Sequence, residues 1–235
     1  MPDRLGYNRQ YTSFRKQLII NGAFVDLAYR VPFPYVVADT LIYCYRPQTE
    51  KALENTCLVG EFSGEKFEAR QRDFLLVDDF QLLPMGPVIK KLYIGQSKTK
   101  RLGDLLRTSV GFIAKSGSVT EQSIGEANQP VLKGRNIFRY RVEGQFYFRF
   151  AKSNLVGGTQ SVEKLGMREK ILMRKTGYPL YSAFDDTGRY PEQSLYFLYE
   201  PKEGMSLKYV LGIVNSPLFQ YAFWNRMATN RNATP

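Results

Sequence analysis

The chain has 235 residues, 43% of them hydrophobic and 23% charged. That is enough for one large domain or a small one plus most of another, and too apolar for wholesale disorder. Lys and Arg number 33 against 22 Asp and Glu, a net charge of +11, which favours a polyanion as partner, either nucleic acid or an anionic membrane surface. Histidine is absent, which excludes Ser-His-Asp and Cys-His nucleophile systems and leaves Cys44 and Cys57 unable to form a protein-only zinc site.

The opening residues Met1–Gly6 lack a basic region followed by an apolar stretch, so no secretory signal is expected. The longest apolar runs, 17–27 and 207–224, are broken by polar residues, and no membrane span is expected. Two cysteines without a framework of spacings read as reduced thiols of a cytoplasmic protein, Cys44 within a buried strand.

Thr12 or Ser13 is placed to cap a helix over Phe14–Ile20, stopped at Asn21-Gly22, with Arg15 and Lys16 on its solvated face. Ala23–Tyr29 alternates as a strand. Asp39–Tyr45, β-branched and aromatic, reads as a second strand buried on both faces. One helix and two strands cannot enclose a core, so residues 1–50 are read as needing strands from elsewhere, with 51–90 as a connector. A further unit opens near Lys100 with a short helix over Arg101–Leu106. A loop rich in Ser, Gly, Glu and Gln covers 115–129. Strands are expected at Asn136–Val142, Gln145–Phe150, Lys170–Lys175, Tyr181–Phe184 and Leu195–Tyr199, with a hairpin turn at Asp185–Gly188. Ser206 caps a helix through Val214, and Pro217 opens another that carries Trp224 toward the core. The last residues, 230–235, read as a truncated end.

Positive charge concentrates between residues 130 and 190, where 12 Lys and Arg face 5 Asp and Glu, a net +7. Aromatics are interleaved: Phe138, Tyr140, Phe146, Tyr147, Phe148 and Phe150. A strand over 136–142 would put Arg139 and Arg141 on one face, with Phe138 and Tyr140 on the other. Such guanidinium groups grip phosphates or pair with a guanine edge, although a run of charge is also what a solvated face looks like.

The phrase Val131-Leu132-Lys133-Gly134-Arg135-Asn136-Ile137-Phe138-Arg139-Tyr140 is similar to one found in TaqI-like C-terminal specificity domains of type II and IIG restriction-modification adenine-N6 DNA methyltransferases. Lys100–Asp104, the strand at Lys170–Gly177, the Asp185–Gly188 turn, Ser194–Tyr196 and the helix Leu207–Ser216 resemble further parts of such domains in the same order. Pro2–Leu5, the helix around Arg15 and Leu18, and Val37–Ile42 resemble the end of the adjoining methyltransferase domain. The family's catalytic Asn-Pro-Pro-Tyr motif and glycine-rich S-adenosylmethionine loop do not occur.

The resemblance implies an α+β fold: a remnant of a Rossmann-like methyltransferase sheet (1–50), a connector (51–90) and a mixed target-recognition domain (91–235). It implies double-stranded DNA and the catalytic domain of the same polypeptide as partners, and no membrane. S-adenosylmethionine would be bound by the parent enzyme, with no cofactor, metal or catalytic residue in this chain. The expected DNA contacts are Lys133, Arg135, Arg139, Arg141, Arg174 and Lys175, with loop 115–129 as a second candidate for base reading. Two alternatives stay open. One is a magnesium nuclease built on Asp186, Glu200 and Lys202, against which stand the turn signal at Asp186 and a proline, Pro201, in the strand. The other is a basic domain that assembles with protein or RNA. Gly157-Gly158-Thr159 lacks the lysine of a phosphate loop and reads as a flexible turn.

Overall fold

The computed structural model describes residues 1–35, 40–48, 50–84, 86–94, 100–126, 128–202 and 204–226. Val37–Asp39, part of the methyltransferase-like phrase, and the 230–235 segment lie outside the described residues. The fold is mixed α+β, with several small sheets in two compact units, Met1–Thr99 and Lys100–Trp224.

In the first unit, α1 (Thr12–Asn21) leads into β1 (Gly22–Tyr29), followed by β2 (Leu41–Pro47), β3 (Thr56–Glu61), β4 (Lys66–Arg70) and α2 (Pro87–Tyr93). The strands form one sheet in the order β2-β1-β3-β4, with β1 and β3 parallel and the other neighbours antiparallel. Residues 51–90, expected as a connector, thus supply β3 and β4 of this sheet. They also supply Phe74, Val77, Leu82 and Leu83, which close a core around Ile19, Phe24, Leu27 and Leu41. The strands thought to be missing are therefore within the chain. β2 is an outer strand with only Leu41 fully buried. Its Tyr43 and Tyr45 pack on Phe24, while Cys44 is exposed and Cys57 buried, which corrects the reading of β2 as buried on both faces.

α1 starts at Thr12 without a side-chain cap, because the Thr12 hydroxyl donates to the Arg9 carbonyl instead. Arg15 is not on a solvated face: it is 0% exposed. Its guanidinium donates to the carbonyls of Leu5, Asn8, Asp79 and Phe80 at 2.6–3.2 Å. Gln71 does similar work at the junction of α1 and β1. Its amide donates to the carbonyls of Ile19 and Gly22 and accepts from the Phe24 N–H. Periodicity marks apolar core positions, but it cannot reveal a polar side chain whose partners are all main-chain atoms.

The second unit begins with α3 (Leu102–Leu105), β5 (Leu106–Val110), β6 (Phe112–Ala114), β7 (Val119–Thr120) and β8 (Gln129–Leu132). There follow β9 (Ile137–Phe138), β10 (Arg141–Val142), β11 (Phe146–Phe148), β12 (Leu155–Gly158) and α4 (Val162–Leu165). The chain then forms β13 (Lys170–Arg174), β14 (Ser182–Asp185), β15 (Tyr190–Pro191), β16 (Leu195–Pro201), α5 (Leu207–Val214) and α6 (Pro217–Arg226). Two four-stranded sheets, β15-β8-β11-β7 and β14-β13-β16-β5, carry the pairs β6/β12 and β9/β10 beside them. Leu207, Val210, Leu211 and Val214 recur at helical spacing on α5 and bury against Leu106, Ile171 and Leu198.

β14 and β16 lie on opposite sides of β13, so the segment after Asp185 crosses over rather than closing the expected hairpin. Pro201 is accommodated because the strand bulges at Glu200, whose φ is +46°. Gly157 and Gly158 are strand residues, not a flexible turn. A Cβ on Gly158 would stand 2.3 Å from the Gly111 carbonyl. Trp224 is only partly buried, its ring 4.1 Å from that of Tyr178.

One charged cluster is fully enclosed. Lys170 and Asp185 are both 0% exposed, with their charges 3.0 Å apart, and Arg189 joins Asp185 at 3.0 Å. Burial pushes the Asp185 carboxyl up, but Lys170, Thr187 and Arg189 together outweigh it and the net displacement is downward. An acid depressed in the folded state stabilises above its unfolded pKa, and that contribution fades as pH falls through the folded value.

Two stability predictions follow from these buried groups. Arg15→Ala strands four buried carbonyls and should cost about 3–5 kcal/mol in urea unfolding, with Arg15→Lys recovering only part; an unchanged midpoint contradicts the assignment. Asp185→Asn leaves Lys170 as a buried charge without its counter-ion and should cost a similar ~3–5 kcal/mol at neutral pH. The same change should flatten the loss of stability of the wild type below about pH 4, where unfolded aspartate titrates; an acid limb of unaltered steepness contradicts it.

Candidate nucleic-acid interface

The basic segment is built from a short turn and a hairpin, not from the strand expected over 136–142. Gly134–Asn136 form a single 3-10 turn. β9 then pairs with β10 in antiparallel register, Phe138 opposite Arg141 and Ile137 opposite Val142, with Arg139 and Tyr140 as the two-residue loop. Tyr140 sits at φ +68°, a left-handed conformation that costs a non-glycine residue about 1–2 kcal/mol. Its N–H donates to the Ser182 carbonyl at 2.9 Å, which fixes the loop on β14. Arg139 and Arg141 therefore do not share a strand face. Arg139 heads the loop and Arg141 leaves it.

The main chain of this element is tied at several points. Asn136 is 6% exposed; its carbonyl oxygen accepts from the Lys133 N–H and its amide donates to the Glu143 carbonyl. The Gly134 N–H donates to the Ser194 hydroxyl, which in turn donates to the Glu192 carboxylate at 2.8 Å. On the far side, the Asn215 side chain makes two bonds with the main chain of Ser182, and Gln220 grips both ends of the Leu180 peptide unit. The Asn215-Ser216 end of the α5 phrase is thus a clamp on the strand that carries the loop.

All six expected contact residues lie over aromatic rings. Lys133 and Arg135 share Phe146, at 4.9 and 4.2 Å from its centroid. Arg141 and Arg174 share Phe138, at 5.2 and 5.6 Å. Arg139 lies 5.2 Å from Tyr140, and Lys175 lies 5.4 Å from Tyr196. A cation over a ring face within about 6 Å is attracted by the ring quadrupole, and the ring limits the rotamers the long side chain explores. Lys133, Arg135, Arg141 and Arg174 therefore form one group around two rings. Lys175 joins it only through the main chain, its N–H donating to the Ser194 carbonyl.

Arg174 differs from the others. It is partly buried, lies 5.1 Å from the Tyr181 ring as well, and its Nε donates to the Gly134 carbonyl at 3.0 Å. Burial pulls its guanidinium down from the ordinary value, and Tyr181 opposes that shift. Its geometry is that of a strut between β13 and the Gly134–Asn136 turn.

Arg135, Arg139 and Arg141 are exposed. Arg135 pairs with Glu121 and Arg141 with Glu143, at 3.1 and 2.9 Å. Such solvent-exposed pairs are worth little, so a phosphate can displace the carboxylate cheaply. Arg139 donates to the Asn215 carbonyl at 3.3 Å and has no carboxylate partner among the described residues. Loop 115–129 contains β7, which pairs with β11, and its Glu121 and Glu126 hold Arg135 and Arg149.

The nuclease alternative finds no assembled site. Glu200 pairs with Arg107 at 3.1 Å, and among the described residues no group of three His, Cys, Asp or Glu could hold a metal ion. A cradle for S-adenosylmethionine does not fit either, since the Gly157-Gly158 pair is packed against the Gly111 carbonyl and leaves no space for a ligand. No described helix is long and apolar enough to cross a membrane.

The chain is 24% identical, over 97% of its length, to a Methanocaldococcus jannaschii protein named as a type II restriction enzyme and methyltransferase. It spans only 21% of that relative. Among solved structures, the type IIL restriction-modification enzyme MmeI in complex with DNA matches with a TM-score of 0.56 and 9% identity, over 98% of this chain and 36% of that one. The HsdS subunit from Thermoanaerobacter tengcongensis matches 61% of this chain and 34% of its own, with a TM-score of 0.42 and 11% identity. Residues 129–235, from β8 onward, match the TaqI-like C-terminal specificity domain, the family that the Val131–Tyr140 phrase resembles.

Proposed function

We propose that this chain recognises a DNA target sequence on behalf of a longer adenine-N6 DNA methyltransferase of a type II restriction-modification system. The observation that carries the reading is the hairpin at 137–142: exposed guanidinium groups seated on rings, on a main chain fixed by hydrogen bonds, inside the segment that matches a specificity domain. A two-stranded β-ribbon is narrow enough to enter the major groove, where each base pair presents its own pattern of donors and acceptors. Arg139 and Arg141 are assigned to that entry, with Lys133, Arg135 and Lys175 on flanking phosphates. Double-stranded DNA is the partner, and loop 115–129 lies next to the same residues through Glu121 and Arg135.

Met1–Thr99 is assigned to the end of the methyltransferase region, and the catalytic domain of the same polypeptide is its second partner. S-adenosylmethionine and the transfer of the methyl group belong to that domain. The setting is the cytoplasm.

The test is fluorescence anisotropy with a short mixed-sequence duplex at several KCl concentrations. About six phosphate contacts give a log–log slope near −5. Arg139→Ala with Arg141→Ala should weaken binding and flatten the slope by roughly 2. Unchanged affinity and slope in that double variant would remove the hairpin from the interface, and a preference for RNA over duplex DNA would point to a different partner. Arg174 is expected to behave otherwise. Arg174→Ala should weaken binding by about tenfold with the slope unaltered and a lower melting temperature, because it positions the turn and touches no phosphate. A slope reduced by about 1, as for a lost phosphate contact, contradicts the strut assignment.

A further inference from the structure

Beside the hairpin loop lies a cavity of about 290 Å³, lined by Arg139, Tyr178, Tyr181, Asn215, Pro217 and Gln220 among others. The hairpin reading leaves this cavity without a role. Its size is at the small end for organic ligands and suits one planar ring system rather than a larger molecule. Two of its walls are tyrosines. Tyr178 is 49% exposed although the Trp224 ring lies 4.1 Å away, so it is an aromatic surface supported from one side and kept open on another. The cation at its edge is Arg139, and no carboxylate lines it.

The polar side chains that line it are already spent. Asn215 bonds to the N–H and carbonyl of Ser182, while Gln220 bonds to the N–H and carbonyl of Leu180 and to the Val214 carbonyl. The two amides thus make the wall rigid and have little left for the edge of a ligand. A site with aromatic walls, one cation and satisfied amides selects a flat ring that carries an anionic group, and is tolerant of the ring's hydrogen-bonding pattern.

We propose that this cavity receives a single unstacked nucleotide of the bound DNA, its base against Tyr178 and Tyr181 and its phosphate on Arg139. The inference rests on the DNA-recognition reading and adds a second kind of contact to it. The hairpin reads paired bases, and the cavity holds one nucleotide out of the stack, with recognition by shape rather than by base identity.

The experiment compares two mixed-sequence duplexes that differ only in a single bulged 2-aminopurine deoxynucleotide, each titrated with the full 235-residue chain. Taking a base out of the stack costs free energy that a bulge has already met. The bulged duplex should therefore bind roughly tenfold tighter, with a change in 2-aminopurine emission. Tyr178→Leu and Tyr181→Leu should abolish both the preference and the emission change while holding paired-duplex affinity within about twofold. Free 2′-deoxyadenosine 5′-monophosphate should erase the preference in the unmodified chain, a readout that needs no variant to fold. Equal affinity for the two duplexes overturns the proposal, as does a preference that survives both substitutions. If the chain binds paired DNA with the expected salt slope but ignores the bulge, only the cavity assignment fails. Failure to bind either duplex refutes the DNA reading itself.

Discussion

The arrangement of the basic hairpin depends on one guanidinium that faces inward. Arg174 stands at the end of β13, donates to the Gly134 carbonyl and lies over Phe138 and Tyr181. That single side chain links a strand, the turn before the hairpin and two of the rings on which the exposed arginines rest. A long cationic side chain in solution spreads over many rotamers, and ordering it on a ligand costs entropy. Stacking on rings that are themselves held in place meets part of that cost before any partner arrives, which is how preorganisation raises affinity without new contacts.

Both units use the same device at their critical joints: a buried polar side chain that bonds main-chain atoms. Arg15 and Gln71 do so in the first unit, and Asn136, Asn215 and Gln220 in the second. Each satisfies peptide groups at the ends of helices and strands, where the regular ladder leaves them without partners. The enclosed Lys170–Asp185–Arg189 cluster is different in kind, since its bonds are between charges and its integrity depends on pH.

Much of this could be read from the sequence, but unevenly. Apolar periodicity located β1, β13, β16 and α5, because burial of one face is what sets those patterns. The concentration of charge and aromatics located the basic segment, and all six expected cations do lie over rings. The direction of the chain within that segment was not legible. Alternation over 136–142 suits a strand, and only the left-handed Tyr140, held by Ser182, turns it into a hairpin. Non-local pairing escaped for a similar reason. Nothing near residues 56–70 says that they pair with β1, so a strand pair was taken for a connector. Arg15 was placed on the surface because a charge at a helical position is usually solvated, and its carbonyl partners come from segments up to 65 residues away.

The hairpin is held almost wholly through its backbone. Tyr140 N–H, Gly134 N–H, the Gly134 carbonyl and the Glu143 carbonyl are the atoms that fasten it, and none of them belongs to the side chain of residue 135, 139 or 141. Those three positions can therefore exchange residues without loosening the mounting. A lineage could retune what is read at these sites while the scaffold stays constant, and a protein engineer could diversify them as a small cassette on an unaltered frame.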